Sequence, residues 1–399
     1  MRVTLVNQYY APDISPTAQM AASLAEHRAD AGDQVTVITG RAGYLEGLSP
    51  AGSLRVGPGL RVRRTWTPDL GKSSVPRRLV GYVAFLIGAT GRLLVLRRQD
   101  VIIAMTTPPF VVLTALLHKL LHPRTRVVLW SMDCYPDAAE RFGELRPGGR
   151  LSSALRTVNR WIFRRLDHVV CLDGAMRTLL ESQYAAAPGQ PPHVVIPNWE
   201  RLDLFPTPAA AEPWPGYAEM GVGDRKVVLY LGNTGVGHRF DTVLDAAARL
   251  ADDAVFVFIG GGARWDDLAR DAAERRLTNV VMRGYVPKDE TPAVMTGADG
   301  ALIALDERSL GVMSPSKLHA NLAAGLPVLY VGPEGSNVDE AIKAHDCGTS
   351  IREGDVDRLV SAVRALRDDG SAAERARAAY ERAYSDAAVL PQWDAILDG

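Results

Sequence analysis

Cysteine is scarce: there are three in 399 residues, Cys134, Cys171 and Cys347, far apart and each in or beside an apolar run. That spacing excludes a disulfide framework and a zinc motif, and it suits a reducing compartment, so a cytoplasmic protein is expected. Long uncharged apolar runs are missing too. The longest candidate, residues 79–96, is interrupted by Gly81, Gly88, Gly91 and Arg92 and is too short to span a bilayer. The opening residues, Met1-Arg2-Val3-Thr4-Leu5-Val6-Asn7, read directly as a strand and carry no signal-peptide pattern, which argues against secretion. There is no Gly-x-Ser-x-Gly elbow or Cys/His cluster, so hydrolase-type nucleophilic catalysis and a metal centre are disfavoured. The basic residues are not interleaved with aromatics, and no nucleic-acid partner is expected.

The remainder is ordinary for a soluble globular chain, with 47% hydrophobic and 23% charged residues and a formal net charge of −1. The charge is unevenly spread. Through Glu200 there are 24 basic and 15 acidic residues, net +9, and beyond it 21 and 31, net −10. The split suggests two domains with different ligands, the first ligand anionic, or two halves that attract each other.

Apolar runs rich in β-branched residues alternate with segments of helical period, the βαβ pattern of a parallel sheet covered on both faces. Strands are expected at 3–7, 34–39, 61–66, 101–106, 127–131, 168–172 and 194–197, then at 226–231, 254–259, 279–283, 300–305 and 328–331. Between the two series Pro206, Pro208, Pro213, Pro215 and Gly216 crowd a stretch without period. The chain therefore divides into a first domain over 1–200, a linker over 201–223 and a second domain over 224–384, followed by a helical segment near 385–399. Past Asp355 only helix-forming segments are expected. The fold class is α/β: two doubly wound, Rossmann-like domains facing across a cleft, with function in the loops that leave the strands.

Several of those loops carry chemistry. In Ser314-Pro315-Ser316-Lys317, Ser314 reads as a helix N-cap and Pro315 as the first helical residue, with Gly325 and Pro327 ending a helix of about ten residues. Lys317 then sits in the first turn, where a cation opposes the helix dipole unless an anion binds there. The alternative is a solvated surface lysine. Leu231-Gly232-Asn233-Thr234-Gly235-Val236-Gly237-His238-Arg239 is a glycine-rich strand-to-helix turn that places two more basic residues at a helix start. Gly232 and Gly237 have Walker spacing, but His238-Arg239 stands where Lys-Ser/Thr would hold phosphate and magnesium, which disfavours a P-loop enzyme. The glycines can equally be explained by the turn alone. Asp133, in Trp130-Ser131-Met132-Asp133-Cys134-Tyr135-Pro136-Asp137, is a carboxylate at the end of a buried strand, either a functional acid or a local cap. Residues 7–16 lead from the first strand to a helix capped by Ser15-Pro16 and place Tyr9, Asp13 and Ser15 at the cleft. Arg77-Arg78, Val80, Val83, Phe85, Leu86, Ile87 and Arg97-Arg98 have the composition of an interfacial anchor for an anionic membrane, or of a core helix with solvated ends.

These strings resemble the GT-B glycosyltransferases of family 4, in particular the bacterial polysaccharide-assembly branch. The resemblance covers almost the whole chain: residues 7–13, 132–137, Val195-Ile196-Pro197-Asn198-Trp199, Gly232-Asn233-Thr234-Gly235, residues 279–288 and Ser314-Pro315-Ser316-Lys317. It implies that the second domain binds a nucleotide-sugar donor, that the first binds the acceptor, and that the last helix crosses back to the first domain. Lys317 matches the family's diphosphate-binding lysine, and His238 falls where the family has a lysine, arginine or glutamine near the phosphates. Gly284 and Tyr285 fall in the nucleobase loop, while Gly232, Asn233, Thr234, Gly235, Arg239, Ser314, Ser316 and Asn321 complete the donor side. Tyr9, Asp13 and Ser15 lie on the acceptor and sugar side, with Ser15-Pro16 in place of a common glycine pair. Where the family carries Glu-x7-Glu, this chain has Val312 and Ala320, which leaves the ribose to another group such as Asn321 or His319.

The resemblance thus implies a retaining, metal-independent and cofactor-free glycosyltransferase in which Lys317 and His238 serve catalysis, and Asp133, from its place after a buried strand, joins them as the catalytic acid. It would move a sugar from a nucleotide-diphosphate donor, a UDP-sugar, to a polysaccharide, lipid-linked or other glycoconjugate acceptor, as a cytoplasmic protein peripheral at the inner face of the membrane. The alternatives are a small soluble or secondary-metabolite acceptor, and a non-catalytic nucleotide-sugar-binding protein.

Overall fold

In the computed structural model, which describes residues 1–13, 15–41, 57–68, 75–185, 189–201, 205, 214–287 and 289–399, the apolar runs become the strands of two parallel sheets. The first contains β1 (Arg2–Val6), β2 (Gln34–Gly40), β3 (Leu60–Thr65), β4 (Val101–Ala104), β5 (Arg126–Trp130), β6 (His168–Cys171) and β7 (His193–Val195), in the order β3-β2-β1-β4-β5-β6-β7. The second contains β8 (Lys226–Asn233), β9 (Ala254–Gly261), β10 (Val280–Arg283), β11 (Gly300–Ala304), β12 (Val328–Val331) and β13 (Gly348–Ile351), in the order β10-β9-β8-β11-β12-β13. β4, β11 and β12 are buried along their whole length, as continuous apolar runs in a parallel sheet should be. β13 was not expected, because Gly-Thr-Ser-Ile at a sheet edge has no apolar run to betray it.

The chain forms two compact units, Met1–Ile196 with Trp393–Gly399, and Pro197–Gln392. Much of the expected linker, 202–204 and 206–213, lies outside the described residues, as does Lys288. Its later part is not a free connector: Trp214, Tyr217 and Val222 belong to the core of the second unit. There the Trp214 indole donates to Glu290 (2.9 Å) and the Tyr217 hydroxyl to the Val294 carbonyl (2.6 Å).

Each sheet reverses its winding once. In the first unit the chain runs outward from β1 through α1 (Pro16–Asp30) to β2 and β3, then returns to place β4 on the other side of β1. Right-handed crossovers therefore put α1 on one face and α2 (Val75–Leu94), α3 (Val112–Leu121), the short α4 (Asp137–Arg141) and α5 (Arg150–Phe163) on the other. In the second unit the reversal falls between β8 and β11. The carboxyl ends flanking such a switch point are where open α/β sheets bind ligands.

Residues 393–399 complete the first unit. Trp393, fully buried, lies against the equally buried Trp130 with ring centroids 4.5 Å apart. Arg28, also buried, donates to Asp33 (2.7 Å), Asp394 (2.8 Å) and Asp398 (2.7 Å). An arginine this dry depends on such charge-assisted partners.

Candidate active site

In the second unit the loops after β8 and β11 are built against each other. Gly232 has φ +114° and Gly260 φ +145°, and a Cβ on Gly260 would stand 2.2 Å from the Gly232 carbonyl oxygen, so only glycine lets these two strand ends approach. Thr234 is not a free donor-binding group: its N–H and hydroxyl both donate to the Gly261 carbonyl, at 2.7 and 3.1 Å. Gly237 joins the two loops, its carbonyl accepting from the Asp306 N–H (2.9 Å) and the Ser309 hydroxyl (2.9 Å).

This framework brings Lys317 and His238 together. The Lys317 ammonium donates to the Asn233 carbonyl (3.0 Å), lies 3.4 Å from Nε2 of His238 and stands over the Tyr230 ring, 4.9 Å from its centroid. His238 Nδ1 faces the Gly235 carbonyl at 3.1 Å, and since a carbonyl only accepts, Nδ1 carries the hydrogen and Nε2 is left to accept from Lys317. Sequence reasoning treated His238 as a second cation. It is neutral: burial and the neighbouring ammonium hold its imidazole down to about 3. Lys317 keeps a little solvent contact by surface area, yet it is packed closely enough that desolvation lowers it to about 8. At neutral pH it remains mostly charged.

Other expected residues fall differently. Arg239 is drawn to Asp241 (2.7 Å) and Glu353 (3.4 Å) rather than to Lys317. The helix after β11 spans Lys317–Ala323, shorter than expected, with Ser316 in place of Ser314 at the cap position and no side-chain cap bond there. Ser314 and Ser316 are half-buried in the turn before it. His319 is turned into the core, its Nδ1 on the Ser316 carbonyl (3.1 Å) and its ring 5.2 Å from Tyr384, which weakens it as a ribose ligand. Asn321 is buried. Val312 is fully buried and Ala320 packs against the core, so apolar packing occupies both positions where glutamates were expected. Gly284 is exposed with open space around it, and the half-exposed Tyr285 ring stands beside Gly261. Tyr230 was missed, because a tyrosine inside a buried strand reads as core.

In the first unit Asp133 follows β5. The Thr106 hydroxyl oxygen accepts from the N–H groups of Met132 (3.1 Å) and Asp133 (3.2 Å), fixing the turn. The helix nearby starts only at Asp137, with Pro136 at its cap position, so Asp133 does not cap it. Asp133 lines a cavity of about 40 Å³ with Thr106, Phe110, Ser131, Cys134 and Tyr135, space for a few waters or a hydroxyl group. Its carboxyl is half-buried by surface area but closely surrounded, and desolvation raises it to about 6.

The loop after β1 adds a group that sequence reasoning found only in part. Ser15 does cap α1 in backbone conformation, but its hydroxyl makes no cap bond, and Asp13 instead accepts the Ser15 N–H (2.8 Å). Ser15 Oγ, Asn7 Oδ1 and Gln8 Oε1 are all buried without a hydrogen-bond partner among the described residues, an arrangement that calls for an explanation. Tyr9 is buried, and its carbonyl accepts from the Asn7 amide (2.7 Å). Among the described residues no three His, Cys, Asp or Glu side chains gather where a metal ion could sit.

Residues 17–199 match the family model described as a glycosyl transferase 4-like domain, and residues 225–369 the model of the glycosyl transferases group 1. The chain is 26% identical over 308 residues to the probable glycosyltransferase WbjE of Pseudomonas aeruginosa, with 75% of each chain covered. It is 26% identical over 270 residues to the putative colanic acid biosynthesis glycosyl transferase WcaI of Escherichia coli, with 67% of this chain and 58% of that one covered. Among solved structures it resembles HepE of Anabaena in complex with UDP and glucose, with a TM-score of 0.71 at 15% identity over 100% of this chain and 99% of that one. A likeness at that identity bears on the fold.

Proposed function

From the premise that the chain belongs to the group 1 glycosyltransferases with a 4-like N-terminal domain, GT-B proteins that use nucleotide-sugar donors, we propose that the donor is a UDP-sugar. Its diphosphate binds at Lys317, and the glycosyl group passes with retained configuration to an acceptor hydroxyl bound by the first unit. The observation that carries this reading is the Lys317 site itself: a desolvated ammonium held by a neutral imidazole and a carbonyl, with no carboxylate paired to it among the described residues. Such a cation is under-compensated until an anion arrives. The HepE complex with UDP supports the choice of nucleotide.

As the bond between the anomeric carbon and the β-phosphate oxygen breaks, negative charge grows on the diphosphate. Lys317 is already in place to meet that charge, so its contact strengthens toward the transition state. His238 holds the lysine by accepting one of its hydrogens. Charge neutralisation then rests on this lysine and on loop amides, and turnover should persist in EDTA. On the acceptor side Asp133 orients the attacking hydroxyl or takes its proton. A polysaccharide or lipid-linked acceptor fits the relationship to WcaI.

The test is UDP release from a panel of nucleotide sugars with and without glycan acceptors, beside thermal shifts with UDP, GDP and dTDP. Stabilisation by UDP that Lys317→Ala abolishes is expected. Equal stabilisation of both proteins would place the diphosphate elsewhere.

A further inference from the structure

Large apolar side chains exposed to solvent are distributed very unequally. In the second unit, among the described residues, only Val236 and Tyr285 qualify, and both belong to the donor loops. The first unit has many, and most lie on α2, α3 and their flanks. The inner face of α2 is sealed by Phe85, Ala89 and Leu93, while Leu79, Val80, Val83, Ile87 and Leu94 line its outer face at helical spacing. Phe85, grouped with the outward residues from sequence alone, is therefore a core residue. α3 packs beside α2, with His118 Nδ1 on the Leu93 carbonyl (2.9 Å), and adds Leu117, Leu120 and Leu121 to the same outer surface. Ile87 is 69% and Leu120 70% exposed.

The helices that build this face carry charge of one sign. α2, α3 and the adjoining α5 contain no Asp or Glu at all, and between residues 75 and 132 the sole carboxylate is Asp100, paired with Arg98. In sequence, the two apolar helices are flanked by Arg77, Arg78, Arg97 and Arg124. On α5, Trp161 is exposed beneath the Arg165 guanidinium, 4.0 Å from its ring centroid, an aromatic with a cationic tip of the kind that sits at lipid headgroups. No described helix is long and apolar enough to cross a membrane.

We infer that the α2–α3 face docks on the surface of an anionic phospholipid bilayer, its leucines, valines and Ile87 entering the headgroup boundary while the flanking arginines meet lipid phosphates. A second copy of this chain is a poorer occupant, because a two-fold contact would set one arginine border against another.

The experiment is vesicle flotation of the full chain with phosphatidylcholine alone and with phosphatidylcholine plus phosphatidylglycerol, beside the Ile87→Glu/Leu120→Glu double variant. The parent should float only with anionic vesicles and be released by salt. Partitioning of the variant should fall by about tenfold or more, with its melting temperature and UDP affinity unchanged because both side chains point to solvent. Equal flotation of parent and variant overturns the inference, as does a parent that never floats. So does a parent dimer that the variant converts to monomer, which would make the face a self-association surface.

Discussion

Each unit holds an ionisable side chain of a different sign in a dry position just past the carboxyl end of its sheet, and burial pushes the two in opposite senses: Asp133 up to about 6, Lys317 down to about 8. Their surroundings differ more than their burial does. Lys317 is fixed by the Asn233 carbonyl and His238 Nε2, on two loops joined through Gly237. Asp133 is positioned through its own backbone N–H on Thr106 and borders a small cavity. A desolvated cation on a rigid mount suits the binding of an anion. A carboxyl whose affinity for protons lies near neutrality, beside open space, suits contact with a hydroxyl that must lose its hydrogen.

The contrast breaks most visibly in turnover. Lys317→Ala should lower kcat/KM by about 2–4 kcal/mol, comparable to the loss of a well-placed oxyanion donor, with much of the loss in kcat. If Asp133→Ala weakened UDP binding to the same degree, the division of roles would fail. Next in size, Asp133→Asn should reduce kcat about a hundredfold and leave the Kd for UDP as it was. The parent's acidic limb near pH 6 should vanish from the variant's pH–rate profile.

A third effect follows from the lysine alone. Free Lys317 loses its proton near pH 8, so UDP should bind about tenfold more weakly at pH 9 than at pH 7. Calorimetric titration at both values checks this, and a flat affinity would show that the ammonium does not meet the phosphates. The smallest effect is on stability. Between pH 8 and 10.5 the unfolded chain keeps a proton on Lys317 that the folded one has shed, so this residue makes stability rise with pH over that window. For Asp133 the folded state holds the extra proton between about pH 3.8 and 6, and stability rises as pH falls through it. Lys317→Met at pH 7 should therefore raise Tm by about 1–3 °C. Lowered stability would mean that the lysine is compensated within the free protein.

The fold was legible because strands buried on both faces cannot hide their composition. β13 escaped, being a short polar edge. The loops that meet at Lys317 were also legible, through glycines and basic residues placed where helices begin. Their electrostatics were not: spacing names a histidine but does not reveal that its neighbour will be an ammonium 3.4 Å away, which is what keeps His238 neutral. For Arg239 the competing Asp241 lies only two positions on, yet Glu353 comes from the far end of the unit. Ser15 was found as a cap, but the unpartnered oxygens of Asn7, Gln8 and Ser15 emerge only once the surrounding backbone has taken its own bonds. The phase of α2 was misread at Phe85 because a helix apolar on both sides gives no contrast between inside and outside.

The clamp of Arg28 on Asp394 and Asp398, with Trp393 against Trp130, has a temporal consequence. Residues 393–399 emerge from the ribosome about 200 residues after the first unit's last strand, roughly ten to forty seconds later at ordinary elongation rates. For that interval the nascent first unit has an uncovered Trp130 and an arginine with only Asp33 to answer it. Quality control during synthesis therefore meets this domain in an unfinished state, and chaperone occupancy should persist until the whole second unit has been translated.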